Sequence, residues 1–164
     1  MTGRRGLLTA IAVALCVVVA VCDLVLWLHN RHAGSVDDAR ADAVVAARQA
    51  ARDILSYDYR SLDKDIAKAK SETTGLFARQ YAGSADALLQ QAGQLRAIVQ
   101  ATPATPGVVS ASANEVVVLL WVDQASVKQL AGQKSPTTRI DQSRVRMTMT
   151  KVDGKWKVSQ LAAL

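Results

Sequence analysis

The sequence predicts an α+β protein in which one N-terminal transmembrane helix is followed by about three helices and a curved antiparallel sheet of about four strands. Three observations carry this. Leu7–Leu28 is apolar almost without interruption, and as a helix it would be about 33 Å long, enough to cross the hydrocarbon core of a bilayer. From Val36 to Val99 apolar residues recur at steps of three and four, the period of a helix with one buried face. Beyond Thr102-Pro-Ala-Thr-Pro-Gly107 valine, threonine and strict alternation take over, the pattern of strands.

Arg4 and Arg5 precede the apolar stretch and form the positive cluster that normally stays cytoplasmic. The expected division is a cytoplasmic N-terminus (1–6), a transmembrane helix (7–28), a juxtamembrane linker (29–35) and an extracytoplasmic domain (36–164). A cleaved signal peptide has a shorter apolar core and small residues before the cut, whereas this one ends in Trp27-Leu-His-Asn30. A lipoprotein signal would want a small residue before its cysteine, but Leu15 precedes Cys16 and Val21 precedes Cys22. An uncleaved anchor in the cytoplasmic membrane, with Trp27 at the outer interface, fits better. Asp23 is the one charge inside the span. An aspartate costs about 2.5 to 3.5 kcal/mol at a helix centre and less toward an end. It either reaches headgroup water beside Trp27 or meets a partner's membrane helix.

After the span, Gly34-Ser35 and the acidic pair Asp37-Asp38 read as a break followed by the N-cap and first turn of a new helix. Val36, Ala39, Ala43, Ala47, Ala50 and Ile54 form its apolar stripe, and side chains this small allow close approach to a sheet. Leu55-Ser-Tyr-Asp-Tyr-Arg60 reads as a corner between helices, with Tyr57 and Tyr59 burying rings and keeping wet hydroxyls, although the pair could also form a recognition patch. A short helix over Leu62–Lys70 ends at Thr73-Thr74-Gly75, Leu76, Phe77 and Tyr81 add bulk, and Gly83-Ser84 starts another helix whose stripe runs from Leu88 to Ile98 and Val99.

Four strands follow: 108–113, 115–127, 138–152 and 155–161, with an exposed, mobile loop over 128–137. Asp153-Gly154 between the last two is a hairpin signal. Val116–Val122 is apolar on both faces, which places it centrally, with helices over one face and something else over the other. Which of Leu120 and Trp121 faces out is not decided by the pattern. Arg144 and Arg146 alternate with Val145, Met147 and Met149, as in a half-exposed strand.

Charge and composition narrow the function classes. The chain carries 20 Lys+Arg against 14 Asp+Glu. Beyond the span the balance is 18 against 13, with no Lys/Arg cluster interleaved with aromatics, so a nucleic-acid partner is not expected. Both cysteines lie in the span, so the outer domain has no disulfide. His29 and His32 sit at its exit, and no metal spacing, phosphate loop or nucleophile elbow is visible, so no cofactor is expected.

Helices followed by a twisted sheet closing on Asp153-Gly154-Lys155-Trp156-Lys157-Val158 resemble the nuclear-transport-factor-two-like cone fold. With the basic N-terminus, single span, alanine-rich helix, Leu55–Arg60 corner and Thr74-Gly75-Leu-Phe77, nearly the whole chain resembles an actinobacterial Mce-associated membrane protein. That resemblance implies a non-catalytic accessory or scaffold subunit of a Mce-type lipid or sterol import system. Its implied partners are the Mce transporter subunits and the bilayer, with a homo-oligomer and a lipid or sterol ligand as further candidates. The candidate interface residues are Asp23, Tyr57, Tyr59, Leu120 and Trp121. Related cones also include ketosteroid-isomerase-like enzymes, for which Asp58, Asp63, Asp123, Tyr57 and Tyr59 would be the acid-base candidates. A membrane-anchored lipid-binding module is the other alternative. A deep apolar pocket would favour that module, a pocket with a desolvated carboxylate the enzyme, and a filled cone the scaffold.

Overall fold

A computed structural model describes the backbone of residues 2–129 and 135–164, with side chains described at 19–24, 34–85, 87–129 and 135–164. The chain divides into two compact units, Met1–Asp37 and Asp38–Leu164. Most side chains of the apolar stretch, with Arg4, Arg5 and Trp27, lie outside the described residues. Among the described residues no helix is long and apolar enough to cross a membrane. Asp23 is described, and it is exposed.

Helix α1 spans Thr2–Leu55, and it is helical through Gly34 and Ser35, where the sequence predicted a break and an N-cap. A single glycine costs a helix only about 1 kcal/mol relative to alanine, and the alanine-rich run after it is strongly helix-forming. The expected stripe is present: Ala39, Ala43, Ala47, Ala50 and Ile54 are buried, joined by Ala51. They pack with the covered side of a sheet, against Val116, Val118, Leu120, Val122, Val145, Met147, Met149, Trp156 and Val158. Alanine makes this close approach feasible, since any longer side chain would hold the helix off the strands.

The chain continues through β1 (Tyr57–Asp58), α2 (Leu62–Ser71), α3 (Gly75–Gln94), β2 (Ile98–Pro103), β3 (Gly107–Ala111), β4 (Glu115–Lys128), β5 (Thr137–Val152) and β6 (Lys155–Ala163). Acidic Asp63 and Asp65 in the first turn of α2 and Lys68 and Lys70 in the last complement its dipole. A second apolar cluster joins Leu62 and Ile66 of α2 to Ala85 and Ala92 of α3 and to Ala97.

Three expectations need correction. No new helix starts at Gly83-Ser84, because α3 runs through both; the Ser84 hydroxyl donates back to the Tyr81 carbonyl and stays within the helix. Ile98 and Val99 belong to a strand, not to the helical stripe. The helix ends at Leu95 in a Schellman-type cap: the Ala97 N–H donates to the Ala92 carbonyl at 3.0 Å and the Arg96 N–H to that of Gly93 at 3.3 Å. Arg96 takes the left-handed position (φ 43°) usually given to glycine, so the sequence carries no conventional stop signal there. The sheet accordingly has six strands, the two added ones, β1 and β2, lying on one side.

The sheet order is β1-β2-β4-β5-β6, all antiparallel, with β3 also on β4. Strand β4 is central, as its two-sided apolarity predicted: β3 and β2 share one of its edges, and β5 pairs along the whole of the other. Asp153 (φ 49°) and Gly154 (φ 77°) make the predicted hairpin turn, both residues left-handed as a type I′ turn requires. The connection from α2 to α3 ties onto β6, where the Thr74 N–H donates to the Val158 carbonyl and the Val158 N–H to that of Glu72. Of the loop expected over 128–137, residues 130–134 lie outside the described residues.

Candidate functional site

The two faces of the sheet differ. On the covered face Val116, Val118, Leu120, Val122, Met147, Met149 and Val158 have no accessible surface at all. A cavity large enough for a lipid would leave its lining side chains exposed, so these residues are packed against one another and against the alanines of α1.

The opposite face is open among the described residues. Along β4 the outward positions are Val117 and Leu119, half-buried, and Trp121, 53% exposed. The register sets Arg144 of β5 directly across from Trp121 and Arg146 across from Leu119. A bulge between Val108 and Ser110 presents Val109, also exposed, at the β3 side. The question left by the sequence is thereby answered: Leu120 points into the core and Trp121 out. The second covering layer expected over β4 is not present among the described residues.

The corner after α1 forms a second candidate. Tyr57 is half-buried in β1, opposite Val99, and burial pushes its hydroxyl pKa up. The Arg60 side chain binds Asp58 in a two-pronged ion pair, with Nε 2.9 Å from Oδ1, and lies 6.0 Å from the Tyr59 ring centre. Hydrogen bonds from Arg60 hold the Asp58 carboxyl below the usual carboxylate range. Asp65 accepts from the Asp58 N–H at 2.9 Å and from the Ser61 hydroxyl, which fixes the turn into α2. Beneath lies Asp53 of α1, its side chain 6% exposed, paired with Lys68 of α2 at 2.8 Å and hydrogen-bonded by Gln49. Burial, then the charge of Asp53, pushes the nearby Glu72 carboxyl up.

An open cleft of about 610 Å³ runs along this corner, lined by Asp53, Tyr57, Asp58, Asp65, Lys68 and residues 98–102 of β2. Of the buried α1-sheet core, Ala101 of β2 alone is among its lining residues. Its carboxylates are all engaged in ion pairs or turn contacts that hold α1, β1 and α2 together.

The acid-base candidates do not converge. Tyr57 and Asp58 line this cleft, Tyr59 and Asp63 line a separate hollow of about 290 Å³, and Asp123 accepts a hydrogen bond from Gln142 across β4 and β5. Among the described residues no three metal-binding side chains come together. Two features were missed in the sequence. Asp53 and Lys68 sit on different helices, and nothing in the local pattern pairs them. Ile140, 73% exposed, is a lone apolar residue in a polar run and gives no periodic signal.

The family described as "Uncharacterized protein Rv1363c/MT1408-like" matches residues 6–163. "Outer membrane protein Rv1973" of Mycobacterium tuberculosis is 35% identical over 159 residues, which are 94% of this chain and 92% of that protein. Among solved structures, an IcmL-like type IV secretion system protein from Legionella pneumophila superposes with a TM-score of 0.59 at 15% identity, covering 76% of this chain and 91% of that one. The periplasmic domain of DotI does so at 0.56 and 15%, covering 74% and 91%. At such identities these likenesses speak for the fold alone, which is the nuclear-transport-factor-two-like fold. The match over residues 6–163, together with 35% identity to a relative of nearly the same extent, makes this chain a member of the Rv1363c/MT1408-like family.

Proposed function

We propose that this protein is a non-catalytic, membrane-anchored accessory subunit of a Mce-type lipid or sterol import system, acting through protein contacts of its C-terminal domain. The observation that carries this reading is the contrast between the two sheet faces: the covered one is filled, and the other presents Trp121 beside Val117 and Leu119. A lipid carrier or a cone enzyme works from an interior cavity, and the α1-sheet core has no room for one. Apolar side chains grouped on an open sheet face are what a contact surface needs.

In this reading Leu7–Leu28 crosses the cytoplasmic membrane with Arg4 and Arg5 inside and the C-terminal domain outside. Asp23 then lies near the outer interface, solvated by headgroups or held by a partner's helix. The relative's name, "Outer membrane protein", supports a membrane setting, and the neighbouring DotI domain is periplasmic. The sheet itself is open, with β1 and β6 at its ends, which supports the apolar helix rather than a closed barrel as the anchor.

A reporter fused after Leu164 that works only outside the cytoplasm is expected to be active; activity solely from a cytoplasmic reporter overturns the orientation. Purification of the full chain from its own membranes in gentle detergent is expected to recover Mce transporter subunits in fixed ratio. Recovery of a different membrane complex removes the Mce assignment, and recovery of a stoichiometric lipid without protein turns the reading toward a lipid-binding module.

A further inference from the structure

The β5 strand is longer than its neighbour on one side. It pairs with β4 from Thr137 to Thr150, but β6 covers it only from Val145 to Val152. Among the described residues nothing pairs with its other edge from Thr137 to Ser143.

The direction of the free backbone groups follows from two hydrogen bonds. The Leu164 N–H donates to the Arg144 carbonyl from the β6 side, at 2.9 Å. The Ser126 hydroxyl donates to the Arg139 carbonyl from the β4 side. Peptide groups alternate along a strand, so Thr138, Ile140 and Gln142 turn their N–H and C=O groups toward the uncovered edge, as Arg144 does. An edge of this kind is a template for another strand unless something blocks it.

Charge is the usual block, and here it is arranged to do the opposite. Arg139 and Asp141 flank Ile140 and pair with each other at 2.7 Å, both well exposed. In an antiparallel pairing of this segment with itself, centred on Ile140, Arg139 faces the second copy's Asp141, and Asp141 faces the second copy's Arg139. Ile140 meets Ile140, Thr138 meets Gln142 and Thr137 meets Ser143. Four charges of alternating sign then close one face of the seam, and the two isoleucines, each 73% exposed in the single chain, cover part of each other on the other face. A parallel pairing in register would instead stack like charges.

We propose that residues 137–143 form a homotypic strand-pairing edge, through which two copies of this protein join their sheets into one continuous sheet. The occupant is a second copy because the residue order around Ile140 is complementary to itself when reversed. This goes beyond the accessory role proposed above and uses a different surface from Trp121.

Charge reversal tests it in the full chain in detergent, with self-association followed by sedimentation and by pull-down between differently tagged copies. Arg139→Asp alone and Asp141→Arg alone each set like charges opposite one another twice. Each is expected to weaken self-association at least about tenfold while the circular dichroism stays that of the parent. Mixing the two variants in equal amounts restores opposite charges across the seam, and association should return between them though neither associates with itself. Trp121→Glu should leave this association unchanged. A monomeric parent at tens of micromolar overturns the proposal. So do single variants that associate like the parent, a mixture that fails to restore pairing, or loss of association on Trp121→Glu alone.

Discussion

Leu120→Glu is expected to unfold the C-terminal domain, whereas Trp121→Glu, one residue on, should leave it folded and weaken its association with partner subunits. The two side chains are neighbours in sequence but leave β4 on opposite faces, one with no accessible surface and the other 53% exposed. At Leu120 a glutamate would lie in the cluster of Val118, Val122, Met147 and the alanines of α1, which holds no cation and, besides the Trp156 indole N–H, no side-chain donor among its buried members. An unpaired charge in such a site, added to lost apolar burial, costs about 4 to 5 kcal/mol or more, against a total stability on the order of 5 to 15. At Trp121 the carboxylate reaches water and has Arg144 across the strand, so the change in stability should stay within about 1 kcal/mol. Circular dichroism separates folded from unfolded, and cross-linking or co-purification reads association. If both variants unfold and no other change on the open face affects association, the interface reading loses its support.

What the sequence made legible was what repeats. The alanine stripe of α1, the two-sided apolarity of β4, the alternation around Arg144 and Arg146 and the Asp153-Gly154 turn are local patterns, and each appears where its period placed it. The misread places are those where tertiary structure overrode a weak local signal. Gly34-Ser35 and Gly83-Ser84 look like helix boundaries, yet each pair costs less to keep helical than the helix-forming turns on either side return. Ile98 and Val99 extend the helical stripe of α3 by spacing alone. The cap at Leu95–Ala97 turns them into a strand because Arg96 accepts a conformation for which no sequence rule selects arginine.

The candidate site was half legible for the same reason. That β4 had a second apolar face could be counted from the residues. Which face it was depends on the register with β5 and the position of α1, both of them long-range facts. The corner at Tyr57–Arg60 was recognised as a junction, but its strand pairing to β2 and the Asp53-Lys68 tie beneath it join residues far apart in the chain or on separate helices.

The filled interior can be tested by trying to fill it further. Ala47→Phe is expected to destabilise the C-terminal domain by about 1 to 3 kcal/mol, because Ala47 has no accessible surface and its helix lies against a sheet face with no void to receive a ring. For a domain of this size each kcal/mol lowers Tm by about 3 to 6 °C, so thermal unfolding reads the effect directly. Val45, on the same helix but 71% exposed, is the control: Val45→Phe should change Tm by little. A cone with a ligand cavity under α1 would respond differently, since a phenylalanine at 47 would enter the cavity, leave Tm unchanged or raise it, and displace any bound lipid. Tolerance of Ala47→Phe together with loss of a co-purifying lipid would therefore overturn the scaffold reading in favour of a lipid-binding module. A fall in Tm with unaltered lipid content leaves the open face and the strand edge as the surfaces through which this domain can act.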